Sequence, residues 1–78
     1  MIRLKNIIQR GNIIYCDIIP EDSKESGKAE YDIIHQDVVL FELPVGYEYC
    51  ADDKAHIRAF FNKANIDDLP SEKLLMWY

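Results

Sequence analysis

Two cysteines, two histidines and two Asp-Asp pairs are the residues of this chain best suited to catalysis or metal binding: Cys16, Cys50, His35, His56, Asp52-Asp53 and Asp67-Asp68. His56 follows Asp52 by four positions, a spacing that presents two ligands on one face of a helix. A metal site needs three or four donors, and no other His or Cys is spaced to join these two. Asp52 and His56 therefore read as an i, i+4 pair on a solvated helix face. His35 opens the triplet His35-Gln36-Asp37, but acid–base chemistry needs a positioned pair and a pocket, and turns gather polar residues for backbone reasons.

Cys50 lies seven residues before Ile57 and fourteen before Ala64. That spacing sets it on an apolar stripe, as a small core residue. Activating it as a nucleophile would need an electropositive neighbourhood, and Asp52 and Asp53 supply the opposite field. Cys16 is expected to be the more accessible thiol. Adjacent acids diverge on a helix or strand, so helix capping and turn formation account for both pairs. The chain carries no GxSxG, Walker A, GxGxxG or HExxH pattern. No catalytic residue, metal or cofactor is expected, and the protein does not read as an enzyme.

Binding surfaces are more promising. Tyr47, Tyr49, Trp77 and Tyr78 are many large rings for a small core to enclose, and Tyr and Trp dominate protein contact sites. They form the candidate interaction surface, toward a protein partner or a second copy through the Leu74–Tyr78 edge. The alternative is nucleic-acid contact through Arg3, Lys5 and Arg10 on a basic first hairpin. Glu21, Asp22, Glu25 and Glu30 interleave with the nearby bases, and the formal net charge is −5, so no global field attracts phosphate. A minimal metal-binding protein using His56 and Asp52 is the remaining alternative.

The elements that must position these residues follow from periodicity. Cys50–Ile66 predicts a helix, with Ile57, Phe60, Phe61 and Ala64 at i, i+3, i+4 and i+7. Asp52 or Asp53 suits its N-cap, and Asn65 suits the left-handed C′ position. Two β-branched runs, Ile2–Gln9 and Ile13–Ile19, flank a Gly11-Asn12 turn. A simple hairpin sets Ile8 opposite Tyr15 and Leu4 opposite Ile19. The face carrying Ile2, Leu4, Ile8, Ile13, Tyr15 and Ile19 is the more apolar and is assigned to the core, although Asn6 and Asp17 interrupt it. Residues 20–29 read as a mobile loop. A second hairpin, Glu30–His35 with Val38–Leu43, turns at Gln36-Asp37 and sets Ile34 opposite Val39 and Ile33 opposite Leu40. Pro70 ends the helical region, and Lys73–Tyr78 closes the chain as an apolar strand.

With 78 residues there is room for one domain. The expected fold is α+β: a mostly antiparallel sheet of two hairpins, one helix packed on one face and a short C-terminal strand, in the order ββββαβ. No stretch approaches the ~20 apolar residues of a membrane span. Without CxxC pairs or a dense cysteine framework, the expectation is a soluble cytoplasmic protein with reduced thiols. The function expected is that of a non-catalytic protein-interaction module, with no small-molecule ligand indicated.

Overall fold

The computed structural model describes residues 1–77. Its elements are β1 (Ile2–Arg10), β2 (Ile13–Pro20), β3 (Gly27–Asp32), β4 (Asp37–Glu42), α1 (Asp53–Lys63) and β5 (Lys73–Leu75). The order ββββαβ and the α+β class are as the periodicity predicts. All pairings are antiparallel, and the strands run β4-β3-β2-β1-β5 across one sheet. Helix α1 packs on one face through Ile57 and Phe61, both essentially fully buried. Each contributes roughly 1.5–3 kcal/mol by leaving water. The Phe61 ring lies against Tyr31 and Phe60, with centroids 5.2 and 5.0 Å away.

The first hairpin turns at Gly11 and Asn12, with Gly11 at φ 61°. Ile8 faces Tyr15 as expected, but Leu4 faces Ile18 and not Ile19. The reason is a β-bulge: Lys5 pairs with Asp17 and Ile8 with Tyr15, so Asn6 and Ile7 together oppose Cys16. Asn6 takes φ 54°, a conformation that asparagine tolerates better than most residues, and its Nδ2 donates to Asp17 Oδ2 at 2.7 Å. The two residues that interrupted the apolar pattern are bonded to each other.

This bulge reverses the core assignment for most of the hairpin. Ile2, Leu4, Ile7, Ile14, Cys16 and Ile18 are buried, whereas Ile8 and Tyr15 are 49% and 37% exposed. The face of Ile13, Tyr15 and Ile19 is the one that α1 leaves open. Cys16 accordingly lies in the core, contrary to its expected accessibility.

The second hairpin also differs from expectation. Its loop is Ile33–Gln36, closed by the pair Asp32 and Asp37. Asp32 Oδ1 accepts from the Ile34 and His35 amides at 2.9 and 3.1 Å, and Gln36 turns the chain with φ 56°. Glu30 pairs with Leu40 and Tyr31 with Val38, leaving Val39 as an extra residue. The expected pairs Ile34–Val39 and Ile33–Leu40 do not form. Strand β3 begins at Gly27, so Gly27, Lys28 and Ala29 are laddered and do not belong to the loop.

The ends of α1 are built without the expected side-chain caps. Cys50 N donates to Tyr47 O at 2.9 Å, Lys54 N to Ala51 O at 3.3 Å and Ala55 N to Asp52 O at 3.2 Å. The chain thus enters α1 through tight turns, including a 3-10 turn at Glu48–Cys50, whose carbonyls occupy amides that a cap would otherwise satisfy. Asp52 makes no capping bond. Asn65 is extended rather than left-handed; its side chain accepts from Asp67 N at 3.1 Å, capping a second 3-10 turn at Ile66–Asp68.

Two backbone positions are stringent. A Cβ on Gly27 would stand 1.9 Å from the Glu42 carbonyl oxygen. Gly27→Ala should therefore cost about 2 kcal/mol or more in urea unfolding, because β3 and β4 must separate to admit the methyl. Asn6→Gly should be close to neutral, while Asn6→Val should cost about 1–2 kcal/mol through its left-handed φ.

Candidate interaction surfaces

At one end of the fold the chain passes from β4 into α1 and lays Tyr47 and Tyr49 side by side. The 3-10 turn brings the rings into a stack, with centroids 5.9 Å apart and planes inclined by 30°. The Tyr47 hydroxyl donates to Asp22 Oδ1 at 2.9 Å, tying the pair to the β2–β3 loop. That carboxylate raises the Tyr47 pKa above the ordinary phenol value by favouring the protonated hydroxyl. Tyr49 remains 72% exposed.

Trp77 lies against α1. Its ring stacks on His56 with centroids 3.8 Å apart and an interplanar angle of 9°. His56 thus turns to Trp77 and not to Asp52. Trp77 is half-buried and packs on the core, while Leu74 and Met76 beside it are exposed. A shallow groove of about 480 Å³ runs between α1 and β5, lined by His56, Phe60, Lys63, Lys73, Leu74 and Trp77 among others. Strand β5 adds antiparallel to β1 at the sheet edge, pairing only Ile2, Arg3 and Leu4. The fourth aromatic of the expected surface, Tyr78, lies outside the described residues.

The bulge at Asn6 has a second effect. It puts Arg10 on the same open sheet face as Arg3 and Lys5, which a regular strand would not do. Yet acids alternate with bases there: Lys5 is opposite Asp17, Asp17 opposite Lys28, and Lys28 opposite Glu42. The three bases share a face without forming a cationic patch.

The groups capable of chemistry are dispersed. His35 Nδ1 lies 2.8 Å from Asp32 Oδ2, not on Asp37, and that bond leads the interactions lowering the Asp32 pKa. Burial is the largest influence on both thiols, raising the Cys16 pKa to about 12 and raising that of Cys50 as well. Asp53 is buried with Oδ2 unpartnered among the described residues, and desolvation raises its pKa. No group of three or more metal-ligating side chains occurs among the described residues. No described helix is long and apolar enough to cross a membrane. Sequence reasoning missed the open sheet face; the polar pair Asn6 and Asp17 inside an apolar pattern was the available signal.

The Cys16 thiol gives a pH signature. Its folded pKa, about 12, lies above the ordinary 9.0. The folded state therefore keeps a proton that the unfolded chain releases, and this contribution is complete below pH 9 and lost as pH rises toward 12. Urea titrations should show that loss in the parent chain and a flatter profile in Cys16→Val. A thiol reagent at about pH 8 should leave both cysteines unmodified until urea unfolds the protein.

Comparison with protein-family models, with curated proteins and with solved structures finds no match to this chain.

Proposed function

We propose that this chain is a small non-catalytic protein-interaction module whose contact surface includes Tyr47, Tyr49 and Trp77. The observation that carries the reading is the Tyr47–Tyr49 stack, pinned to Asp22 while Tyr49 stays 72% exposed. Rings held in place before binding have less rotamer freedom left to lose, which favours them as anchors. The non-catalytic half draws support from the engaged state of the reactive groups: buried thiols with raised pKa, His35 on Asp32, and His56 against Trp77.

Nucleic-acid association through Arg3, Lys5 and Arg10 is the second reading, favoured only by the bulge that gathers them on one face. Asp17, Glu30 and Glu42 on that face oppose a phosphate backbone. RNA binding at low salt that collapses on adding salt would favour this reading over the first.

A photoreactive residue at position 49 can capture the partner in cells, and the captured protein can then be titrated. Tyr49→Ala should weaken its binding at least ~10-fold with little change in melting temperature, as for an exposed anchor. Trp77→Ala should reduce both binding and stability, because Trp77 also packs on the core. Unchanged affinity in a Tyr47→Ala/Tyr49→Ala double variant would exclude this surface.

A further inference from the structure

The sheet face opposite α1 has a charge order that complements itself. Across β1, β2, β3 and β4, one register row reads Lys5, Asp17, Lys28, Glu42: plus, minus, plus, minus. The next reads Ile8, Tyr15, Glu30, Leu40, with Ile8 and Tyr15 exposed. Five of these side chains, Ile8, Tyr15, Asp17, Lys28 and Glu30, line one depression of about 390 Å³.

Consider a two-fold axis parallel to the strands, between two such sheets packed face to face. The rotation keeps each row at its own height and reverses its order across the sheet. Lys5 then meets Glu42 of the second copy, and Asp17 meets Lys28. In the next row Ile8 meets Leu40, and Tyr15 meets Glu30, whose carboxylate the phenol can approach as a donor. All four charges of the first row meet their opposites, and the two outer apolar residues of the second row meet each other. Closed two-fold assemblies use isologous patches of this kind, and aligned sheets pack ~10 Å apart.

We infer that this open face is a homodimer interface, occupied by a second copy of this chain in an aligned β-sandwich. The contact rests on two rows of side chains, one of them fully charged, so the dimer is a weak, reversible one. This surface is distinct from the Tyr47–Tyr49 pair, and either can fail without the other.

Sedimentation equilibrium from ~10 µM to ~1 mM tests it, a range suited to such a small interface. The parent chain should approach the dimer mass. Lys5→Glu and Glu42→Lys, each alone, should weaken self-association at least ~10-fold, since each sets like charges against each other across the axis. Their equimolar mixture should recover the dimer, because the new carboxylate at position 5 of one copy then meets the new ammonium at position 42 of the other. Melting curves establish that the variants fold; should either fail, the neutral pair Lys5→Gln and Glu42→Gln weakens the dimer without like-charge contact. A monomer at every concentration overturns the inference. So does a dimer that survives both single variants but is lost in Leu74→Asp/Met76→Asp, which would put the contact on the β5 edge. Tyr49→Ala should leave the mass unchanged.

Discussion

The left-handed turn of the backbone at Asn6 is the constraint on which the rest of this structure depends. An extra residue in a strand changes the face of everything beyond it, because side chains alternate with a period of two. With Asn6 and Ile7 both opposite Cys16, Ile7 follows Ile2 and Leu4 into the core, and Ile14, Cys16 and Ile18 come to face α1. The bond from Asn6 Nδ2 to Asp17 Oδ2 pairs two polar side chains with each other on the open face. In a regular hairpin both would lie on the face with the larger apolar count.

That inward surface determines how the remaining elements assemble. Ile57 and Phe61 sit on a floor of aliphatic side chains and Tyr31, while the Tyr31 hydroxyl donates to the Asn62 side chain at the margin. The close approach at Gly27 brings the β3 and β4 backbones together at the other edge. A fold of this size buries only roughly 60% of the surface its unfolded chain exposes, so errors in a few such contacts would consume much of its stability. The two functional proposals lie outside this core. One uses rings held at the entrance to α1, and the other uses the sheet face that no described element covers.

Placement in the fold also explains why the chemically suggestive residues lose their promise. Cys16 and Cys50 are withdrawn from solvent, which favours the neutral thiol and removes the nucleophile. His35 stabilises the turn that Asp32 organises, and His56 serves as a platform for Trp77. Both histidines thus have a structural partner, and both thiols are buried. Asp53 is the exception, buried with one carboxylate oxygen unpartnered among the described residues.

The element order, the Gly11-Asn12 turn and the Ile57–Phe61 stripe were legible in the sequence because each rests on local periodicity or local turn chemistry; Cys50 is buried as expected, but in the 3-10 turn before α1 and not on the helical stripe. The candidate surface was legible only as a set of aromatic residues; that Tyr47 and Tyr49 stack together while Trp77 goes to His56 depends on which elements meet. The facing of β2 and the register of the second hairpin were not legible. The first depends on an inserted residue, Asn6 or Ile7 in β1, and a bulge leaves the hydrophobic count of a strand almost unchanged while reversing its sides; the second depends on a four-residue loop, Ile33–Gln36, that the Asp32 side chain closes in place of a two-residue turn. By itself the sequence determined what could form, through backbone propensity and spacing. Only the tertiary structure decided which face of each strand the helix covers, because burying Ile57 and Phe61 selects the side without a polar pair.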